Sequence, residues 1–258
     1  MANSSPKTTL ALDLGNTALK YGMFGSEGLW ESGTLTAPAE LTRLWEQMPP
    51  RHAIIASVAD EAVAQPWLAA LAAAGELERV LPLRPGFTPV PLQIGYATPH
   101  TLGADRLAAA VGAAYLRPGR PTLVVDAGTA LKLDFVTAEG AYLGGSIGPG
   151  LGMRLRALHE FTGRLPRLDL SAAGEAVQLI GDSTASSMRS GVLNGFAAEV
   201  RGLVAEYERR YPGLGLLLAG GDAGHLAAAL APARSRTFAV PELVLIGLDK
   251  ILRYNVEA

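Results

Sequence analysis

The chain has 258 residues, 49% of them hydrophobic and 18% charged, with a net charge of −2; that is enough to bury a sizeable core as one large domain or two small ones. The near-neutral balance argues against a dedicated nucleic-acid surface, which needs clustered Lys and Arg, and the lack of cysteine excludes disulfides, thiolate metal sites and cysteine nucleophiles. No apolar run reaches the roughly 20 residues of a spanning helix, the opening MANSSPKTT has no apolar signal core, and the four histidines (His52, His100, His159, His225) show no metal-ligand spacing, so a cytoplasmic protein with no membrane partner is expected.

The first 36 residues read as strands. TLALDL is β-like, a Gly-Asn turn follows, then ALKYGMF and GLWESGTL. PAELTRLWEQM is expected to be helical, with Pro38 near its start, where a missing N–H is harmless. HAIIASV reads as a buried strand, residues 60–74 as a helix ended by Gly75, and ERVLPL as a short strand. Residues 85–101 hold four prolines and read as a loop. Residues 102–116 have helical composition, and RPGRP (117–121) then breaks the chain. The pattern restarts with TLVVDAG, LKLDFVT and AYLGGSIG. Helices are expected around 150–160 and across 184–210. GLLLAGGDAGHLAAAL reads as strand, Gly-Gly turn, helix, and PELVLIGLDKILRYN as a last helix.

The restart is nearly a copy. DLGNTALK (Asp13 to Lys20) returns 113 positions later as DAGTALK (Asp126 to Lys132), each after one apolar run and before another. The expected organisation is therefore α/β with two related halves, residues 1–117 and 118–258, each receiving one Asp-x-Gly turn.

Such a turn exposes backbone N–H groups with no side chain in the way, and concavities of this kind bind phosphate oxygens. Asp13 and Asp126 place carboxylates beside them. Phosphates bring Mg2+, which favours one or two carboxylates plus water. Thr17 and Thr129 add hydroxyl donors and Lys20 a positive charge. A single Asp-x-Gly-x-Thr is equally at home in a structural hairpin, but two with matching flanks suggest a clamp around ATP. There is no Gly-x-x-x-x-Gly-Lys-Ser/Thr loop to compete for the nucleotide.

Paired turns of this type resemble the phosphate-binding turns of the actin, hexokinase and acetate-kinase superfamily. Further segments are similar to those of type III pantothenate kinases: Tyr96 to Arg106 (YATPHTLGADR), GGSIGPG at 144–150, TASSMRSGVLNG at 184–195 and LAGGDA at 218–223. The match runs in order from about residue 9 to 255. The resemblance implies duplicated ribonuclease-H-like (actin-like ATPase) domains with a cleft between them. It implies transfer of a phosphoryl group from ATP to pantothenate, the first step of coenzyme A biosynthesis, with Mg2+, a monovalent cation (K+ or NH4+) and a homodimer. A non-catalytic transcriptional accessory factor of the same fold, or a kinase for another small hydroxy acid, are the alternatives.

The resemblance also assigns roles. Asp105 becomes the general base; the plain alternative is a first-turn Asp favoured by the helix dipole. Gly103, Ala104, Asp105, Arg106, Tyr96, Thr184 and Asn16 become the pantothenate-binding set, against readings of Arg106 as a surface helix arginine, Tyr96 as a loop aromatic and Thr184 as a helix N-cap. Residues Asp13, Leu14, Gly15, Asn16, Thr17, Ala18, Leu19 and Lys20, with Thr129, Gly220 and Gly221, become the ATP-binding set. Asp13 would orient Mg2+ through water, and Asp126 would hold the monovalent cation. Asp222 beside the glycines is also suited to cap a helix. Glu199 and Glu206 read as a solvated helix face. One departure stands out: Lys132 occupies a position where the family more often has a small hydroxyl residue, and it either adds charge near the phosphates or points outward.

Overall fold

The computed structural model describes residues 8–15, 19–41, 44, 49–57, 59, 61–73, 77–170, 177–230 and 237–257. The chain forms two compact units. One comprises Met1–Leu116 with Glu242–Ala258, the other Arg117–Pro241.

In the first unit, β1 (Thr9–Leu14), β2 (Leu19–Gly25) and β3 (Gly28–Leu35) are followed by β4 (His52–Ser57), α1 (Glu61–Ala73), β5 (Arg79–Pro82), the two-residue strand β6 (Gln93–Ile94) and α2 (Ala104–Leu116). The sheet order is β3-β2-β1-β4-β5. β1, β2 and β3 pair antiparallel, whereas β4 and β5 add in parallel. The parallel strands need a crossover, which α1 supplies between β4 and β5. Leu10, Leu12, Leu14, Leu19, Ile55, Trp67 and Leu71 form a buried cluster on this sheet. Its centre strands are apolar on both faces, as expected of strands covered on both sides.

The second unit repeats the plan. β7 (Thr122–Ala127), β8 (Ala130–Val136) and β9 (Ala141–Pro149) lead to α3 (Leu151–Glu160), α4 (Thr184–Arg189), α5 (Gly195–Arg210), β10 (Gly215–Ala219), α6 (Ala223–Leu230) and β11 (Thr237–Ala239). Its strands run β9-β8-β7-β10-β11. β7, β8 and β9 again pair antiparallel, and β10 and β11 again add in parallel. The two motifs sit at the same joint of each sheet. Asp13 faces Lys20 across β1 and β2, and Asp126 faces Lys132 across β7 and β8. The second copy is one residue shorter, and the turn absorbs the difference without shifting either register.

The closing helix α7 (Leu243–Val256) departs from the linear division at 117/118. It follows the second half in sequence but belongs to the first unit. Leu243, Leu248, Ile251 and Leu252 are buried there. The approach to α2 is close enough that a Cβ on Gly247 would collide with Ala108 O, so only glycine fits. Thr9 Oγ1 on β1 donates to Asp249 Oδ1 at 2.6 Å. The expected helix over 184–210 is also modified: between α4 and α5, residues Ser190–Asn194 widen into a π-turn. Strand β11 was not anticipated; its three residues are too short to carry a period.

Candidate active site

β1 delivers Asp13, half-buried, to the end of its strand. Leu14 and Leu19, which flank the turn, are almost fully buried in the core cluster. Only their main chain is available to a ligand, which narrows the expectation for these two residues. Lys20 is exposed on β2. Asn16, Thr17 and Ala18 lie outside the described residues.

The second turn is held from three sides. Gly128 N–H donates to Ala130 O (3.2 Å), Gly150 N–H to Thr129 O (3.1 Å), and Asp222 N–H to Ala127 O (2.8 Å). Thr129 is exposed at its tip. The last of these bonds comes from the Gly220-Gly221-Asp222 connection between β10 and α6. Gly220 has φ +88°, a left-handed conformation that favours glycine, and a Cβ there would run into Ala127 O and Asp126 Oδ1. Gly221 is open to solvent with nothing near its missing side chain. Burial pushes the Asp222 carboxyl above its ordinary pKa, partly offset by His225.

Asp126 has a partner. Lys132 Nζ lies 2.7 Å from Asp126 Oδ2, and both side chains are mostly buried. Lys132 therefore points inward along the Asp126 face and not outward to solvent. Opposite charges facing each other across an antiparallel pair attract.

The proline-rich loop of the first unit is ordered by local bonds. Thr88 N–H donates to Arg84 O (2.8 Å), Leu102 N–H to Pro99 O (3.2 Å), and Asn255 Nδ2 on α7 pins Pro89 O at 2.9 Å. This loop delivers Tyr96, half-buried, and then Gly103 and the start of α2. Ala104 is buried, and Asp105 sits in the first turn, partly exposed. A Cβ on Gly103 would stand 2.6 Å from Asp105 Oδ1, so the glycine leaves the carboxylate room to turn back over the helix end. Arg106 is 6% exposed, and its guanidinium carbon lies 5.9 Å from the centre of the Tyr96 ring. It is not the surface arginine that helix composition alone suggests. A charge so enclosed is kept only where it is paired or used.

Thr184 opens α4, but the cap is its neighbour. Ser183 Oγ accepts from Ser186 N–H at 3.2 Å, and Ser183 N–H donates to Ser186 Oγ at 2.9 Å. The Thr184 hydroxyl is thus exposed and released from capping duty. The π-turn that follows binds the preceding loop: Ser190 Oγ donates to Leu179 O (2.6 Å) and Asn194 Nδ2 to Gln178 O (3.2 Å). Such widenings are frequent at functional sites.

Sequence reading missed Arg154. Its Nε donates to Pro149 O (2.8 Å) at the end of β9, its Nη2 pairs with Glu199 Oε2 (2.6 Å), and its guanidinium covers the Phe196 ring at 5.1 Å. Glu199 is therefore a structural partner of the GGSIGPG segment and not a plain solvated residue. Glu206 does lie on an exposed face, where Arg209 and Arg210 hold its pKa down to about 2. No sequence spacing announces the Arg154 to Glu199 pair, because the partners are 45 residues apart.

Among the described residues no three His, Asp or Glu gather to hold a metal. A divalent ion fits here only in the way Mg2+ prefers, through one carboxylate such as Asp13, water and the substrate's own phosphates. Asp126 is a poor fit for a monovalent cation. Lys132 already supplies a positive charge at 2.7 Å to one of the Asp126 carboxylate oxygens.

Residues 9–206 match the model of the type III pantothenate kinase family. The chain belongs to that family. It is 38% identical over 247 residues to the type III pantothenate kinase of Cytophaga hutchinsonii, covering 96% of this chain and 99% of the relative. It is 40% identical over 252 residues to that of Phocaeicola vulgatus, covering 95% and 98%. Among solved structures it resembles a Sinorhizobium meliloti protein described as a 2-dehydro-3-deoxygalactonokinase (TM-score 0.58, 20% identity, 96% and 99% covered). It also resembles an inorganic polyphosphate/ATP-glucomannokinase of Arthrobacter (0.50, 15%, 97% and 99%). These likenesses establish the duplicated, actin-like ATPase fold of this pantothenate kinase family member. No helix among the described residues is long and apolar enough to cross a membrane.

Proposed function

We propose that this chain transfers the γ-phosphoryl group of ATP to the 4′-hydroxyl of pantothenate, giving 4′-phosphopantothenate and ADP, the first step of coenzyme A biosynthesis. Membership of the kinase family implies ATP with a divalent metal. The observation that carries the residue assignment is the first turn of α2. It presents a carboxylate, Asp105, next to a nearly buried guanidinium, Arg106, braced on Tyr96.

In this reading Asp105 takes the proton of the acceptor hydroxyl as the phosphoryl group moves. Phosphoryl transfer needs little covalent help beyond positioning, charge neutralisation and such a base. Arg106 grips an anionic oxygen of substrate, which its planar fork suits. Tyr96 holds that fork in place, Gly103 and Ala104 shape the helix start, and the exposed Thr184 hydroxyl donates to pantothenate. Asn16 is placed in the same role by its motif.

The main-chain N–H groups from Asp13 to Lys20 and the Thr129 turn cradle the phosphates. Gly220 and Gly221 offer a side-chain-free surface to adenine. Mg2+, reached by Asp13 through water, neutralises phosphate charge. A cytoplasmic homodimer completes the proposal. The K+ or NH4+ expected on Asp126 is the part that the Lys132 contact does not support.

The test is ADP release by purified protein with ATP and Mg2+, with and without pantothenate, alongside Asp105→Asn. Release that requires pantothenate and is lost in a variant of unchanged melting temperature is the expected result. Pantothenate-independent behaviour, or an Asp105→Asn enzyme of undiminished kcat, would overturn the reading.

A further inference from the structure

We propose that the side-chain ammonium of Lys132 is a built-in monovalent cation, so that this chain works without K+ or NH4+. The inference rests on the phosphotransferase reading above. Asp126 is the penultimate residue of β7, just before the Gly128-Thr129 turn. A bare carboxylate there would repel an incoming phosphate, and a bound monovalent cation is one way to neutralise it. The chain supplies that charge itself. β8 places Lys132 directly opposite Asp126, and the ammonium reaches Asp126 Oδ2 at 2.7 Å.

The charge and its chemical nature are those of an ammonium ion, delivered on a tether. A small hydroxyl side chain at this position would carry no charge and would leave room for an external ion. Here the Lys132 ammonium already holds Asp126 Oδ2, while Oδ1 lies beside Gly220, whose turn walls this side of the strand end. The conformation of Gly220 (φ +88°) and the Asp222 N–H bond to Ala127 O hold this wall in position.

The experiment exchanges the protein into N-methylglucamine chloride and measures pantothenate-dependent ADP release and the melting temperature, each against added K+, NH4+ and Na+. Wild type, Lys132→Ser and Lys132→Gln are compared. The wild type is expected to run at rates within about twofold in all salts, with no K+-dependent rise in melting temperature. Both variants are expected to lose about 10²-fold in N-methylglucamine, the scale of removing one preorganised electrostatic donor. Lys132→Ser should then recover with K+ or NH4+ and gain a K+-dependent rise in melting temperature.

A wild type stimulated about tenfold or more by K+ overturns the proposal. So does a folded Lys132→Ser enzyme that is fully active in N-methylglucamine. If neither variant folds, the wild-type salt series decides. If no salt gives pantothenate-dependent release, the parent reading has failed. The melting series then judges this inference by itself: a K+-dependent rise in the wild type overturns it, and a rise in Lys132→Ser alone supports it.

Discussion

Arg106 is buried to 6% exposure with its guanidinium carbon 5.9 Å from the centre of the Tyr96 ring, one residue after Asp105 on the same helix turn. Burial of this kind removes competing water and fixes the fork. Arg106→Ala is expected to lower kcat/KM for pantothenate about 10²-fold or more, in line with the ~2–5 kcal/mol of losing one partner of an enclosed charge pair. Arg106→Lys should not restore it, because an ammonium cannot reproduce two parallel donors. A rise in KM at constant kcat would place Arg106 on a substrate group away from the chemistry. Unchanged kcat/KM would remove it from the site.

The turn at Gly220 tests the second unit. Gly220→Ala forces a Cβ into Ala127 O and Asp126 Oδ1 at φ +88°. Destabilisation of about 1–3 kcal/mol is expected, read as a fall in urea midpoint. Gly221→Ala, one residue on, meets open space and should stay within about 0.5 kcal/mol of wild type. Equal effects at both positions would mean that the left-handed turn is not what constrains this connection.

Asp249 is 1% exposed and fully engaged. It accepts from Thr9 Oγ1 (2.6 Å) and from Arg253 Nε (2.9 and 3.0 Å), and Lys250 Nζ lies 3.1 Å away. Asp249→Ala strands these partners and should lower stability by about 3–5 kcal/mol. Thr9→Val loses one hydrogen bond and leaves the carboxylate its two cations, so about 1–3 kcal/mol is expected. The double variant should fall well short of the sum, since the two residues share a contact. Strict additivity in chemical denaturation would show that the bond contributes nothing.

Tyr21 gives a pH signature. Its hydroxyl donates to Glu31 Oε1 at 2.7 Å, and burial first, then the Glu31 bond and charge, push its pKa up to about 12 from an ordinary 10.0. The folded pKa is raised, so the associated stability is fully present below pH 10 and is lost as pH rises through about 12. Tyr21→Phe should flatten that alkaline limb of the stability profile and leave its acid side unchanged. A profile that falls as steeply in Tyr21→Phe as in wild type would assign the loss to another group.

Local sequence alone determined the repeated unit. Apolar runs on either side of Asp13 and Asp126 specify strands, the glycines specify turns, and the copied order of elements predicts a duplicated α/β fold, because each of these signals acts over a few neighbouring residues. The Gly-Ala-Asp-Arg segment marked Asp105 as a candidate only through its resemblance to the family's, since an Asp in a first helical turn also suits the helix dipole. Tertiary structure decided what depends on partners distant along the chain. It returned α7 to the first unit through the contact of Asp249 with Thr9, 240 residues apart. It tied Arg154 to Glu199 and enclosed Arg106, which composition would leave on the surface. It also turned Lys132 onto Asp126: the sequence places a lysine in the second strand, but only pairing in register brings two opposite charges within 2.7 Å.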